Sequence, residues 1–396
     1  MTSAIDFTLL LPLCDLRLQG ALALLLVVLL AALWRWRWRD YRLPTLPPRE
    51  APDAPPAAAA APSSVAAELI PGRQRPRVSL VVPACNAAEA LQRHLPIWLS
   101  LPTTDYEVIV VDEASTDETR DVIRRFMKES PRLRFTFVPT EARSTDRRKL
   151  AITLGIRAAR APWVVLTEAD CRPATPQWLD ALQARFSDDV DFVIGYARYD
   201  DADSRLRYSR LLHQLHCFRS ARGRAIGGDV DNLALRKDYF LQQGGYSGIL
   251  GTGCGEGDLL IDALALPRRT AVAPCRAAAV IQELPSPHLL RVVRRQQRRA
   301  LHFLSRRGRR YLLRDAAATA AAWLFLVGIL AYVALRLLRL AVAPVYAPAD
   351  IALDALVVAL LVLFFLLPSL FLRRATAVLG EAPFPLLRVA AYQWRA

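Results

Sequence analysis

The stretch "VVDEASTDET", residues 110–119, decides how the middle of this chain folds. The run that starts at Tyr106 is short and largely apolar, as a buried strand is, and it stops on the carboxylate of Asp112. Small hydroxyl and acidic residues follow at once. Ser115 and Thr116 suit the cap of a following helix, with Glu118 and Thr119 in its first turn. That accounts for the hydroxyls and leaves Asp112 over, because it precedes the cap by several residues. A carboxylate at such a strand end is able to accept a hydrogen bond from a base N–H, such as uracil N3–H.

Working outward, "VSLVVP" (78–83), "LRFTFVP" (133–139) and "PWVVLTEAD" (162–170) read as further short buried strands. Between them lie helical stretches. Residues 116–130 put Val122, Ile123 and Phe126 on one face, and residues 147–160 carry Leu150, Leu154 and Ile156 as their apolar positions. Alternating strands and helices predict an α/β domain with a mostly parallel central sheet. In such sheets a ligand binds at the carboxyl ends of the strands. The strand at 162–170 repeats the pattern of the first: Glu168 and Asp170, spaced i, i+2, are expected to point to one side. Two such acids suit a divalent cation held together with phosphate oxygens of a substrate.

The ends of the 396-residue chain have another character. "GALALLLVVLLAALW" (20–34) carries no charge, and with Leu18 and Gln19 it spans about 25 Å as a helix, enough for a membrane crossing. "WRWRWRDYR" (34–42) follows, with aromatic rings and arginines suited to the headgroup layer, and the positive-inside rule then assigns what comes next to the cytoplasm. Residues 44–76 are rich in Pro and Ala and read as a linker. Ten arginines and no acid occupy 291–314, with Leu289, Val293, Ala300, Leu301 and Leu304 at helical spacing, which predicts an amphipathic helix on an anionic leaflet. Apolar runs at about 316–335 and 351–372 predict two more crossings. Arg336 and Arg339 fall at the outer end of the first of these, against the expected orientation. The net charge of +15 is almost wholly arginine and sits beside the apolar helices, so lipid headgroups explain it better than nucleic acid does. The six cysteines form no CxxC pair and read as free thiols. His213 and His216 read as ordinary helix residues, and neither GxGxxG after a strand nor GxxxxGK[ST] occurs.

Taken in order, these segments resemble family 2 glycosyltransferases of the GT-A fold. "VSLVVPACN" is similar to that family's first strand, "VVDEASTDET" to its second, and "TEADC" (167–171) to its D-x-D motif. "IGGDVDNLALRKDYFLQQGGY" (226–246) resembles the segment before the acceptor site, "GCGEGDLLI" (253–261) the acidic segment that carries the base, and "QQRRA" (296–300) the Q-x-x-R-W motif. The resemblance covers roughly residues 77–302. It implies that Asp112 recognises the nucleobase, helped by backbone around Pro83 and Ala84, and that Lys149 contacts the nucleotide. It implies that Asp170 is the main ligand of Mg2+ or Mn2+, with Glu168 near the ribose or the metal, and that Asn232 serves the sugar or acceptor. Glu256 or Asp258 would be the general base, and Gln296 and Arg299 would hold the diphosphate. Attack on an α-linked donor would then invert the anomeric centre.

Three departures stand out. Glu168 replaces the first Asp of D-x-D. The base segment reads E-G-D, in which Glu256 aligns with the usual base and Asp258 is a second acid. Ala300 replaces the Trp that helps form the acceptor platform in processive synthases, which points to a single transfer or to Phe303 standing in. The expected organisation is a membrane helix and basic aromatic segment (1–43), a linker (44–76), a cytoplasmic catalytic domain (77–286), an interfacial helix (287–314), two membrane helices (315–375) and a tail (376–396). The expected activity is transfer of a sugar, with UDP-sugar as the expected donor, to a lipid or lipid-linked glycan at the cytoplasmic face of a membrane, the bacterial inner membrane being the natural setting. A processive polysaccharide synthase and a catalytically inactive membrane scaffold are the alternatives.

Overall fold

The globular pattern begins at β1 (Val78–Ala84), whose seven residues are all buried. A strand covered on both faces needs a continuous apolar run rather than alternation, and "VSLVVPA" supplies one. The computed structural model describes residues 16–36, 43, 77–139, 146–200, 203–283, 299–342 and 347–385. They divide between two compact units: Met1–Arg42 with Ala202–His216 and Leu304–Ala396, and Leu43–Asp201 with Cys217–Phe303.

In chain order the elements are α1 (Leu16–Trp36), β1, α2 (Ala88–Leu99), β2 (Tyr106–Asp112), α3 (Thr119–Glu129), β3 (Leu133–Phe137), α4 (Arg147–Ala158), β4 (Trp163–Leu166), β5 (Cys171–Pro173) and α5 (Trp178–Gln183). Then come β6 (Phe192–Ile194), β7 (Tyr196–Tyr199), α6 (Ser204–Ser220), β8 (Leu233–Arg236), α7 (Lys237–Gln242), α8 (Asp258–Leu264), β9 (Thr270–Val272), β10 (Ala279–Gln282), α9 (Arg306–Val342) and α10 (Pro348–Leu379).

The larger sheet runs β3-β2-β1-β4-β8-β6-β9. β1 pairs in parallel with β2 and β4, and β2 with β3; β8 is antiparallel to both its neighbours. The mostly parallel sheet expected from the sequence is therefore present. A second sheet, β5-β10-β7, lies outside what the strand pattern revealed. Its strands are only three or four residues long, too short for an alternation to register.

α4 shows how helix phase is set. Gly155 approaches β1 and β2 so closely that an added Cβ would strike Val81 and Val111. This fixes Lys149, Ala151, Ile152, Gly155 and Ile156 on the buried face. Leu150 and Leu154, expected as core positions, are only half-buried, so the apolar stripe is rotated from the expected one.

In the other unit, α1, α9 and α10 are each long and apolar enough to cross a membrane. α1 packs against both others, with Leu26 against Gly328, and Phe325 stacks on Phe364 at 4.8 Å. The basic stretch is not one interfacial helix as expected. Residues 299–303 are helical, 304–305 break the helix, and 306–314 already belong to α9; residues 287–298 lie outside the described residues. The two arginines that opposed the expected orientation are neutralised by acids on α10. Arg336 binds Asp354 through Nε (2.9 Å) and Asp350 through Nη1 (3.0 Å), Arg339 reaches Asp350 at 2.8 Å, and Tyr332 donates its hydroxyl to Asp354 at 2.7 Å.

Candidate active site

The loops at the carboxyl ends of β1 and β2 are sewn together. Asn86 donates its N–H to Ser115 Oγ (2.9 Å) and accepts from Thr116 N–H through Oδ1 (2.8 Å). Thr119 Oγ1 accepts from Ala87 N–H (2.9 Å). Asp117 accepts Ala88 N–H on one oxygen and Thr119 N–H on the other, both at 3.1 Å, so one carboxylate serves the starts of α2 and α3. The hydroxyls expected to cap α3 instead hold the neighbouring loop, and the side-chain oxygen at the start of α3 is that of Asp117. The seam bends the chain through two left-handed residues, Asn86 (φ 48°) and Ala114 (φ 65°).

Asp112 is fully buried beneath this seam. Its Oδ1 accepts Ser115 N–H at 2.9 Å and its Oδ2 accepts Arg120 Nε–H at 2.6 Å. Ala84 lies opposite it in the sheet, and Pro83 opposite Val111. Arg120 lies 5.9 Å above the half-exposed ring of Phe137.

Beyond β4 the two acids sit on a turn rather than on the strand itself, closed by Cys171 N–H to Glu168 O at 3.0 Å. Arg148, in the first turn of α4, reaches across to them. One amino group donates to Glu113 (2.5 Å) and the other pairs with Glu168. Burial disfavours its charge, yet Glu113, Glu256 and Asp170 together outweigh that and push its pKa above the ordinary arginine value. One guanidinium thus lies in the field of four carboxylates, from the β2 loop, the β4 turn and the 253–257 loop. This residue was passed over in the sequence reading in favour of Lys149.

Lys149, one residue on, turns the other way. Its fully buried amine donates to Thr252 Oγ1 (2.7 Å), Cys254 O (2.8 Å) and Ile249 O (3.1 Å) and pairs with Asp146 at 2.7 Å. It anchors the loop before Glu256 rather than facing a nucleotide. Tyr246 Oη donates to Glu256 O at 2.8 Å, and burial, then the Glu256 charge, raises the phenol's pKa well above its usual value. Gly255, at φ 74°, makes the bend that presents Glu256. Asp258 instead accepts Gly228 N–H at 3.1 Å as the first residue of α8, a backbone-holding role. Ala300 is buried against the base loop, its Cβ 3.0 Å from where a Cβ on Gly255 would stand. Phe303 is 55% exposed.

Asn232 is turned inward. Its amide donates to Tyr196 O and Ala278 O, both at 2.8 Å, and its oxygen accepts from Trp178 Nε1 at 3.2 Å. Both amide N–H groups and one lone pair of its oxygen are spent tying β7, the residue before β10 and α5 together, and the side chain is buried, so it is placed as a structural tie rather than toward a sugar. Arg299 is exposed, and its charge is felt at Cys254; Gln296 lies outside the described residues.

Behind the acidic turn, Gln282 Nε2 donates to both oxygens of Asp170 (3.3 and 3.2 Å) and Glu283 N–H to Asp170 O (2.9 Å). His94 Nδ1 meets Ala169 O at 2.8 Å, and its Nε2 lies 3.2 Å from Glu283. Arg93 grips the same carboxylate at 3.0 and 2.6 Å and draws its pKa down, against burial and with help from His94. An oriented hard-oxygen donor at Asp170 fits Mg2+ or Mn2+. Glu168, committed to Arg148, is the weaker candidate ligand.

The model of Glycosyl transferase family 2 matches residues 79–237. Glycosyltransferase AglE of Haloferax volcanii is 31% identical over 107 residues, 26% of this chain and 34% of that protein. Validoxylamine A glucosyltransferase of Streptomyces hygroscopicus subsp. jinggangensis is 37% identical over 111 residues, 28% of this chain and 25% of that protein. The chain spans 25–42% of the length of the curated relatives it matches. The mannosyltransferase PcManGT from Pyrobaculum calidifontis, solved with GDP-Man and Mn2+, aligns over 95% of this chain and 99% of its own, at 21% identity and a TM-score of 0.52, a likeness of fold. Residues 79–237 thus carry the match to Glycosyl transferase family 2, and the mostly parallel sheet, with acids gathered at the carboxyl ends of its strands, has the GT-A fold.

Proposed function

We propose that this protein is a membrane-bound, inverting glycosyltransferase that moves a sugar from a nucleotide sugar to a lipid or lipid-linked glycan at the cytoplasmic face. The observation that carries the reading is the guanidinium of Arg148 in the shared field of Glu113, Glu168, Asp170 and Glu256 at the carboxyl edge of a parallel sheet. Acids from separate segments that converge on one cleft are what diphosphate chemistry with proton removal needs.

In this reading Asp112 sits at the nucleobase end, with Arg120 and Phe137 beside it. Asp170 holds the divalent cation, which when bound neutralises charge on the departing diphosphate. Glu256, on a bent loop that Lys149 and Tyr246 hold still, takes the proton of the acceptor hydroxyl. In-line attack from that side inverts the anomeric centre. Arg299 lies toward the diphosphate. UDP is the proposed nucleotide; the structural neighbour PcManGT was solved with GDP-Man, so both belong in the test. Buried Ala300 favours a single transfer over processive elongation. Three apolar helices and the exposed arginines 306, 307, 309 and 310 support attachment to an anionic membrane, where a lipid acceptor would be at hand.

The test is a panel of radiolabelled nucleotide sugars given to membranes that contain wild type, Asp170→Ala or Glu256→Gln. Both variants are expected to lose transfer, and Glu256→Gln to keep donor binding. Full activity in Asp170→Ala would remove the cation from the reading, and full activity in Glu256→Gln would move the base to Asp258. Nucleotide binding by wild type without transfer from any donor would identify an inactive scaffold.

A further inference from the structure

The acidic turn is held from behind by a closed ring of hydrogen bonds that no part of the proposed reaction uses. A turn of four residues has little stiffness of its own, so the direction of Asp170 must come from its surroundings. Three contacts provide it. Gln282 Nε2 touches both oxygens of the Asp170 carboxylate, Glu283 N–H binds the Asp170 carbonyl, and His94 Nδ1 binds the carbonyl of Ala169, the residue between the two acids. His94 is 2% exposed, and its second nitrogen faces the Glu283 carboxylate. The path runs from the Ala169 carbonyl through the imidazole to the Glu283 side chain. It returns through the Glu283 backbone to Asp170. Arg93 locks Glu283 from the far side with two hydrogen bonds. The end of β10 and the acidic turn therefore cannot shift independently while the imidazole is in place.

We propose that His94, with Gln282 and Glu283, is a positioning strap that sets how tightly the Glu168–Asp170 turn binds a divalent cation. The proposal rests on the reading of Asp170 as the cation ligand. The reason is general: a carboxylate ligand bound by outer partners is already turned toward its ion, and loss of such partners costs about 10–100-fold in metal affinity. None of the three residues belongs to a motif of the β1, β2 or β4 strand ends. Their role follows from where β10 and α2 bring them. A histidine that merely fills the core would contribute packing alone, and a ring of similar volume would then serve as well.

The experiment uses the full-length protein in detergent and Mn2+ alone as the probe, with bound and free ion separated by the electron paramagnetic resonance signal of free Mn2+. Wild type is expected to bind one Mn2+, and Asp170→Ala to lose that site. His94→Phe keeps the ring volume and removes both nitrogens; it is expected to weaken Mn2+ binding by about 10–100-fold. His94→Gln, which restores a donor toward Ala169 O, is expected to recover most of the loss. Gln282→Leu tests the same strap through Asp170 itself and is expected to weaken binding to a similar degree. Unchanged Mn2+ affinity in folded His94→Phe overturns the role of His94. If that variant does not fold, His94→Gln and Gln282→Leu decide: wild-type-like affinity in Gln282→Leu, or a loss in His94→Gln as large as in Asp170→Ala, overturns the strap. Equal binding by wild type and Asp170→Ala would instead overturn the cation reading, a result distinct from failure of the strap.

Discussion

At position 148 the chain sets an arginine among carboxylates, and at 149 a lysine among carbonyls. Successive residues of a helix point about 100° apart, so neighbouring cations serve different surfaces. Replacing Arg148 by Gln leaves Glu113 and Glu168 facing one another without a counter-charge. Stability is expected to fall by about 2 kcal/mol, discounted from the fully buried case because the side chain is partly exposed, and thermal denaturation in detergent reads it. Ala114 makes the opposite case. Its left-handed backbone (φ 65°) costs an L-residue about 1 kcal/mol or more, and a glycine gives back part of that as chain entropy. Ala114→Gly is expected to raise the denaturation midpoint slightly, and a lowered midpoint would show that the side chain itself matters at the seam. Asp112, Glu168 and Asp170 were legible in the sequence because a carboxylate that ends an apolar run is conspicuous; Glu256, in a glycine-rich stretch, was reached only through the resemblance of its segment. Arg148 was not legible, since choosing it over Lys149 requires the phase of α4. That phase was recoverable: Lys149, Ile152 and Ile156 fall at i, i+3, i+7, a buried stripe that competes with the more obvious leucines.

Among the elements, β1 to β4 could be read because each is a short strand rich in apolar residues with a turn behind it. The small β5-β10-β7 sheet could not, and with it went Gln282 and Glu283, which act through pairing between strands distant in sequence. Asp117 joins two helices, and its folded-state pKa lies below the usual 3.8: burial acts to raise it, and the Thr119 hydroxyl with the N–H groups of Ala88 and Thr119 outweighs that. A depressed carboxylate contributes stability above its unfolded value and loses it as pH falls through the folded one. Asp117→Asn is accordingly expected to melt below wild type at neutral pH, with the gap closing below about pH 3.8. A gap that persists undiminished at low pH would assign the effect to packing. Lys149→Met strips the buried amine from the 249–254 loop and leaves Asp146 unpaired. A loss of about 3 kcal/mol is expected, with new protease cleavage between Ile249 and Cys254 as the direct readout.

For the molecule as a whole, the long apolar helices answer a question the hydropathy pattern raised. Arg336 and Arg339 looked misplaced when counted along α9 alone; Asp350 and Asp354 of α10 cancel them across the helix pair. Charge counting within a single helix misses this, because the partners lie on the next one. Arg336→Ala is expected to cost about 1–2 kcal/mol by leaving part-exposed Asp354 with the Tyr332 hydroxyl alone, while Asp350 keeps Arg339. The exchange Arg336→Asp with Asp354→Arg is expected to recover part of it, measured as the coupling in a double-mutant cycle. No coupling would mean that the four charges act independently.

The same ionic knot bears on biogenesis. If α9 and α10 cross a bilayer, these charges lie near the span ends, where each costs less than the about 2.5–3.5 kcal/mol of a charge at its middle, and the acids that offset the two arginines are synthesised only after α9. The translocon should therefore retain α9 until α10 emerges and release the two together as a hairpin, whereas a nascent chain arrested before residue 350 would still slip back.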